Sequence, residues 1–277
     1  MKRIRFVYLL FLVFIFYSQF VNAESNIDRD YSFGVFPYLS AVNMDNVYAP
    51  VSNELSKSIN HKIKFRTSSS FKKFLSKLKS EYYDVALIQP FWYPIAVDKK
   101  GYIPLLKMKE PFVSLIMTLN DSPIRSVADL KGKVIATPPA FVPVVHMARR
   151  ALIKQGLVPG KDITFKAFKS VDSCFQQVLI GKASACVAPP FAPAIFEKVM
   201  GVKLKTILKS QGIPNLALVI HPRVPAAHRV KIKKSILSWT HSEKGKDLLE
   251  NMQTEGFVPI VDTEYNRVRN FIKEINQ

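Results

Sequence analysis

Two kinds of hydrophobic pattern follow each other in turn along residues 31–119. The first is a short run that is wholly apolar or alternates between apolar and polar residues, which is typical of strands; the second is a longer stretch in which apolar residues recur at helical spacing. This order favours a mainly parallel sheet with helices on both faces. The predicted strands are 31–36, 61–66, 85–88, 103–108 and 113–119, and the predicted helices are 47–59 and 71–78.

The same order begins again after a turn at Asp121-Ser122-Pro123, and a last strand, 216–220, then leads into three closing helices. Two similar α/β units joined by two chain crossings predict a hinge and a cleft that closes around a ligand. The first lobe is predicted to comprise residues 30–117 and 216–277, and the second lobe residues 118–215. The predicted strands of the second unit are 134–136, 163–168, 183–188 and 206–208, its helices are 144–155, 173–180 and 193–200, and the closing helices are 225–240, 242–253 and 263–275.

Candidate binding residues follow the strand predicted at 85–88, whose unbroken apolar run indicates burial on both faces. Phe91, Trp92 and Tyr93 come directly after this strand, between two prolines. In open α/β sheets, ligands bind beyond the carboxyl ends of the strands, and aromatic walls are common there. These rings are therefore predicted to line the cleft; an alternative is that they belong only to the core.

A run of three serines, Ser68, Ser69 and Ser70, precedes the helix predicted at 71–78. Serine before a first helical turn is a capping signal, and the free N–H groups there attract anions. Both interpretations stay open: an anion or carboxylate site, or a cap without a ligand.

The chain is basic, with 40 Lys and Arg against 21 Asp and Glu and a formal net charge of +19. The excess is spread along the chain, and its densest patches lie on predicted amphipathic helices, as solvated faces do. The sequence therefore predicts no nucleic-acid partner.

The first 23 residues have the features of a secretory signal: Lys2, Arg3 and Arg5, an apolar run over 6–17, and small residues up to Ala23. Cleavage near Ala23 would leave a mature protein that starts at Glu24 and is periplasmic or secreted. The alternative is a retained membrane anchor.

The chain contains two cysteines, Cys174 and Cys186, in a compartment that permits disulfides. Cys174 falls in a predicted helix and Cys186 in the strand that follows, so the two cysteines could lie side by side at the same height of the fold. A disulfide and a pair of buried free thiols are equally compatible with this spacing. No histidine or cysteine stands at metal-ligand spacing to either, and neither a metal nor a cofactor is predicted.

Five motifs along the chain carry a family resemblance: Gly34-Val35-Phe36-Pro37, Asp84-Val85-Ala86 followed by Pro90 and Tyr93, Asp121-Ser122 with Asp129-Leu130-Lys131-Gly132-Lys133, Ile213-Pro214-Asn215, and Gly256-Phe257-Val258-Pro259. Their order and spacing resemble those of the phosphonate-, phosphite- and phosphate-type periplasmic solute-binding proteins of ABC transporters. The resemblance implies the type II periplasmic binding fold, a ligand between two lobes, a membrane permease as partner and a monomer. It also implies a ligand-binding tyrosine after the third strand, matched by Tyr93, and a Ser-Thr-Ser cluster at the start of the second lobe's first helix.

The chain departs from this family pattern in the second lobe. Phe141, Val142 and Pro143 stand where the Ser-Thr-Ser cluster is expected, and Pro189-Pro190-Phe191 replaces an acidic stretch. Without hydroxyls and with fewer N–H donors, the site is predicted to take a small organic ligand and not a simple phosphonate. The predicted ligand-binding residues are Tyr38, Ser69, Ser70, Phe91, Trp92, Tyr93, Thr137, Phe141 and Pro190.

Functions other than transport are also compatible with parts of this sequence. A sensory module that reports ligand to a membrane receptor or kinase would use the same cleft, and a lipid-handling protein would use the positive surface. An enzyme is less favoured, since Cys174 and His146 stand in no recognisable catalytic constellation. The sequence predicts a binding protein without catalytic activity.

Overall fold

The structure is a computed structural model that describes residues 29–39, 41–140 and 142–275. The predicted signal segment and Phe141 lie outside the described residues. Within them, no helix is both long and apolar enough to cross a membrane.

Strands and helices alternate along most of the chain, as the sequence predicts. The strands are β1 (Tyr31–Val35), β2 (Ile63–Arg66), β3 (Val85–Ile88), β4 (Ile103–Met108), β5 (Leu115–Leu119), β6 (Val134–Thr137), β7 (Thr164–Ala167), β8 (Ala185–Ala188), β9 (Leu204–Lys209), β10 (Ala217–Ile220) and β11 (Phe257–Pro259). The helices are α1 (Ala41–Ile59), α2 (Phe71–Lys79), α3 (Pro143–Lys154), α4 (Val171–Leu179), α5 (Ala192–Met200), α6 (Ala226–Ser238), α7 (Glu243–Asn251) and α8 (Asn266–Ile275).

The strands form two sheets, each flanked by helices. The first has the order β11-β4-β10-β3-β1-β2, and the second β7-β6-β8-β5-β9. In the first sheet β1 to β4 run in one direction while β10 and β11 oppose them; in the second, β5 opposes the other four. Most strands of each sheet thus share one direction, but both sheets are mixed, because the reversed strands pair antiparallel with their neighbours. Strands β5 and β10 are reversed because each enters its sheet from the other lobe.

The two lobes are joined by two crossings that pair with each other, between β4 and β5 and between β9 and β10. Phe112 and Ile213 exchange two backbone hydrogen bonds of 2.9 and 3.0 Å. Ser114 and Ser210 are also joined by two hydrogen bonds, one of them to a side chain: the Ser114 amide donates to the Ser210 hydroxyl at 2.9 Å, and the Ser210 amide donates to the Ser114 carbonyl at 2.9 Å. The crossings therefore form a short two-stranded hinge.

The first crossing lies earlier than the predicted lobe boundary at residue 117. That boundary falls inside β5, and β5 pairs with β8 and β9 of the second sheet. The chain therefore leaves the first lobe between Met108 and Leu115. Apolar periodicity defines strands but does not show which sheet a strand joins, which explains the difference.

The amino end of β3 is fixed by a buried ionic cluster around Asp84, whose side chain is fully buried. Its carboxylate accepts hydrogen bonds from both terminal nitrogens of Arg29 at 2.6 and 2.8 Å, from Nε of Arg223 at 2.5 Å, and from the amide and hydroxyl of Ser32. Burial alone would raise the pKa of Asp84, but these donors hold it well below its usual range. The cluster ties β1, β3 and the segment after β10 together.

Candidate ligand-binding cleft

The carboxyl ends of strands from both sheets meet between the lobes. Tyr38 follows β1 in the first lobe, and Phe191 follows β8 in the second. Their ring centroids lie 4.8 Å apart with the planes at 62°, an edge-to-face contact. The lobes therefore touch across the cleft, at the place where ligands bind in open α/β sheets.

Tyr38 is held in place from within its own lobe. Its hydroxyl lies 2.8 Å from the hydroxyl of Tyr48, a buried residue of α1 that stacks on Phe65. Burial raises the pKa of Tyr38 to about 12, so the hydroxyl stays protonated at neutral pH. The residue thus presents an uncharged, oriented aromatic wall to Phe191.

A small cavity of about 90 Å³ adjoins this aromatic contact. Its walls come from both lobes and from the hinge, and they are largely apolar, with Glu110, Asn215 and Gln253 as the polar members. The remaining lining residues are Tyr38, Met108, Pro190, Phe191, Leu216 and Met252. The space left while the two rings touch therefore suits only a small group.

The serine run before α2 serves mainly as a helix start. The Ser70 hydroxyl accepts a hydrogen bond from the Lys73 amide at 3.2 Å, which makes it the N-cap of α2. The hydroxyls of Ser68 and Tyr83 are 3.2 Å apart, and Ser69 is exposed. This geometry accounts for the capping interpretation, and the predicted anion contact of Ser69 and Ser70 stays a prediction.

The aromatic residues after β3 pack largely within the first lobe. Trp92, with an exposed fraction of 7%, stacks on Phe74 and meets Phe36 edge-on, with ring centroids 5.5 and 5.8 Å apart. Phe91 is half-buried and packs edge-on against Phe271 of α8 at 5.4 Å. Their packing favours the core interpretation, because each ring already has an intramolecular partner.

Tyr93 is fully buried and has two partners near the start of α8. Its ring stacks on Tyr265 at 3.7 Å, and its hydroxyl donates to Asp262 at 2.9 Å. Burial, followed by the Asp262 carboxylate, raises the pKa of Tyr93 well above its usual range. The ligand role that the family resemblance implies for this residue would require a change in these contacts.

The second-lobe wall offers few hydrogen-bond donors. Helix α3 begins at Pro143, which has no N–H, and its N-cap Val142 has no side-chain acceptor. At α5 the Ala192 amide already donates to the Pro189 carbonyl at 3.2 Å, and Pro193 follows. Thr137, at the end of β6, is buried, and Pro190 lines the small cavity. Both helix starts are thus poor places for an anion.

The two cysteines are buried free thiols in the second lobe. Burial raises the pKa of the Cys186 thiol, and the neighbouring Cys174 adds to the shift. His146 is half-buried on α3, and its pKa is lowered by burial and then by Arg149. Among the residues that the structure describes, no group of three or more His, Cys, Asp or Glu is arranged to hold a metal ion.

Several residues that line the cleft cavity are absent from the predicted ligand-binding set. Phe191 was visible in the motif APPFAP, where an aromatic residue stands between prolines, as in the run after β3. Glu110 stood in no motif, and Asn215 stood only in the family motif Ile213-Pro214-Asn215, which does not show that it lines a cavity. Both residues lie in the hinge and enter the cavity through the pairing of the crossings. The Asn215 amide holds the first crossing by donating to the Glu110 carbonyl at 2.8 Å.

Two α/β lobes joined by paired crossings and touching across a cleft define a two-lobed solute-binding protein. The model of the family described as "ABC transporter, phosphonate, periplasmic substrate-binding protein" matches residues 33–265. The chain belongs to this family, and its members work with the permease components of ABC transporters, outside the cytoplasm. It is a solute-binding protein of the ABC transporter type.

Solved structures show the same fold at low sequence identity. A binding protein component of an ABC phosphonate transporter from Pseudomonas aeruginosa has a TM-score of 0.72 and 16% identity, over 87% of this chain and 84% of that one. PhnD1 from Prochlorococcus marinus, in complex with methylphosphonate, has a TM-score of 0.73 and 14% identity, over 89% and 98%. The aliphatic sulphonate binding protein SsuA from Escherichia coli has a TM-score of 0.64 and 16% identity, over 89% and 87%.

Proposed function

We propose that this protein captures a small, largely apolar organic ligand between its lobes and delivers it to the permease of an ABC transporter. The observation that carries the proposal is the second-lobe wall, where prolines occupy the starts of both α3 and α5. The ligand is therefore a small aromatic or aliphatic compound, in contrast to the methylphosphonate bound by PhnD1.

Desolvation disfavours an anionic ligand in this cleft. A phosphonate dianion that leaves water must regain its hydrogen bonds from the protein, and each unsatisfied polar group costs about 1 to 3 kcal/mol. Pro143 and Pro193 remove N–H groups from the helix ends where such anions bind. An uncharged or weakly polar ligand does not incur this cost and gains from contact with Tyr38 and Phe191.

Hinge closure supplies the mechanism. In the structure Tyr38 and Phe191 touch directly. A flat ligand enters only when the lobes separate and part these rings; once held between them it would contact both lobes and stabilise the arrangement that closes around it. Of the other predicted ligand-binding residues, Pro190 lines the small cavity beside these rings. Ligand roles for the rest stay predictions: Ser69, Ser70, Phe91, Trp92, Tyr93, Thr137 and Phe141.

The location of the mature protein belongs to the same proposal. Cleavage near Ala23 would release residues 24–277 as a monomer into the periplasm or the medium. Mass spectrometry of the secreted protein would show an amino terminus at Glu24, whereas a retained segment 1–23 would contradict cleavage.

A ligand screen by thermal unfolding tests the proposed function. The mature protein would be heated with methylphosphonate, aminoethylphosphonate, phosphate, amino acids, and aromatic or aliphatic acids and sulfonates. A ligand at a hundred times its dissociation constant stabilises the fold by about 2.7 kcal/mol, a shift of several degrees for a chain of this size. We expect apolar compounds to raise the unfolding temperature, and a comparable shift with methylphosphonate alone would contradict the proposal.

Two phenylalanine variants locate the site. Phe191→Ala removes the second-lobe ring of the cleft and should abolish the ligand-induced shift. Phe168→Ala is the matched control, because Phe168 is also half-buried in the second lobe but lies outside the cleft contact. Equal loss of the shift in both variants would mean that the ligand does not bind between Tyr38 and Phe191.

A further inference from the structure

A second cavity lies where α3 of the second lobe faces α8 of the first lobe, beside the second crossing. Its volume is about 140 Å³. Met147 of α3, Phe271 of α8 and Ile213 of the crossing form its apolar floor. None of its lining residues belongs to the predicted ligand set of the cleft. A molecule held in this cavity would touch both lobes and the hinge at once.

The rim of this cavity is cationic. Arg150 and Lys154 come from α3, and Arg267 comes from α8. Arg150 pairs with Glu274 at 2.5 Å, and Arg267 donates to the Gly212 carbonyl at 3.0 Å. Within the described part of the chain, Lys154 has no ion pair. Three cations against one carboxylate leave a positive rim above an apolar floor.

The volume of this cavity and the positive charge of its rim together indicate which class of ligand it would bind. An apolar cavity of about 150 Å³ can hold one benzene ring. A ring or a short aliphatic chain would occupy the floor, and a negative group on it would reach the rim, where charge-assisted hydrogen bonds are available. We propose that this cavity binds a small aromatic or aliphatic monocarboxylate, with its apolar part against Met147 and Phe271 and its carboxylate on Lys154.

Binding there would affect the lobes because the walls of the cavity move with them. A ligand that contacts two bodies stabilises the arrangement in which both contacts exist. In the structure this is the arrangement in which Tyr38 touches Phe191. The cavity is thus a second site whose occupancy favours lobe contact without filling the cleft.

The test is a titration of the mature protein with 4-fluorobenzoate, followed by fluorine NMR. We expect saturable binding that weakens as salt is raised. Ala151→Trp places a large ring at a half-exposed lining position and should abolish the binding that persists in the Phe191→Ala variant, with circular dichroism and the unfolding temperature as checks on folding. Lys154→Met should weaken binding about two- to fivefold, the range of an exposed charge contact.

Two controls separate this site from the cleft and from general charge effects. Lys182→Met removes an exposed lysine elsewhere in the second lobe and should leave binding unchanged. Phe191→Ala removes the second-lobe ring of the cleft, so it should eliminate only the acid that binds in the cleft; binding at the second cavity should persist, weakened at most by the loss of the lobe contact. The proposal is overturned if 4-fluorobenzoate shows no saturable binding, if Ala151→Trp binds the acid as the native protein does, or if Phe191→Ala abolishes all binding, which would place the acid in the cleft alone.

Discussion

The ionic cluster at the amino end of β3 makes a quantitative prediction for Asp84→Asn. The substitution keeps the shape of the side chain but removes the negative charge that Arg29 and Arg223 share. An amide also places an N–H₂ group where the carboxylate oxygens accept hydrogen bonds from arginine. The guanidinium groups are then left without a counter-charge beside a fully buried position.

The expected loss follows from the burial of the three charged partners. Removing one member of a buried ion pair costs about 3 to 5 kcal/mol. Asp84 is fully buried, but the side chains of Arg29 and Arg223 are 50% and 30% exposed and regain some hydration. We therefore expect the lower end, about 3 kcal/mol, which lowers the unfolding temperature by roughly 6 to 12 °C for a chain of this size.

The loss should depend on pH in a defined direction. The pKa of Asp84 is lowered on folding, so its stabilisation is fully present above the pKa of an unfolded aspartate, about 3.9. It is lost progressively as pH falls below that value toward the folded pKa. Each pH unit in this interval removes about 1.4 kcal/mol. The difference between the native protein and the variant should thus be about 1 kcal/mol smaller at pH 3 than at pH 7.

Urea unfolding of both proteins at the two pH values, followed by circular dichroism, measures these quantities. The matched control is Asp30→Asn, since Asp30 pairs with Lys64 on the exposed surface and its loss should change little. A difference below about 1 kcal/mol at pH 7, or one that does not shrink at pH 3, would refute the assignment of Asp84 as a buried counter-ion.

Three further substitutions test packing, closure and the site. Gly34→Ala would place a Cβ 2.4 Å from the ring of Tyr83, and we expect a loss of about 1 to 3 kcal/mol in thermal unfolding; an unchanged unfolding temperature would show that this ring can move. Glu274→Gln removes the exposed interlobe pair with Arg150 and should cost less than about 1 kcal/mol, but increase the radius of gyration in X-ray scattering at low salt; an unchanged radius would mean that the pair does not hold the lobes together. Tyr93→Phe should cost about 1 kcal/mol of stability and retain the ligand-induced thermal shift; loss of that shift would support the ligand role implied by the family resemblance.

The fold was predictable because its signals are local. The apolar run of β3 and the serine before α2 coincide with the observed strand and N-cap. The repeat of the strand and helix order predicted two lobes. The sheet to which β5 belongs was harder to predict from the sequence, because it depends on pairing with β8, a strand far along the chain.

The site was only partly predictable, for a physical reason. An aromatic residue after a strand can turn toward the cleft or toward its own core, and the sequence pattern is the same for both. Tyr38 meets Phe191 across the cleft, whereas Trp92 stacks on Phe74 within the first lobe. The direction of each ring depends on which partners the neighbouring helices supply, and these helices are distant in sequence.

The ionic cluster around Asp84 and the cleft contact of Tyr38 lie at opposite ends of the first sheet. Variants at the two ends therefore separate an effect on stability from an effect on ligand binding. Asp84 lies at the amino end of β3, while Tyr38 lies beyond the carboxyl end of its neighbour β1. A strand of this length spans roughly 13 Å, which exceeds the distance over which exposed charges act at physiological salt. Asp84→Asn should therefore lower stability but leave ligand affinity intact, whereas Phe191→Ala should abolish ligand binding and cost less stability than Asp84→Asn, because Phe191 is only half-buried. If both variants lost ligand affinity, binding would depend on the stability of the first lobe and not on the cleft rings.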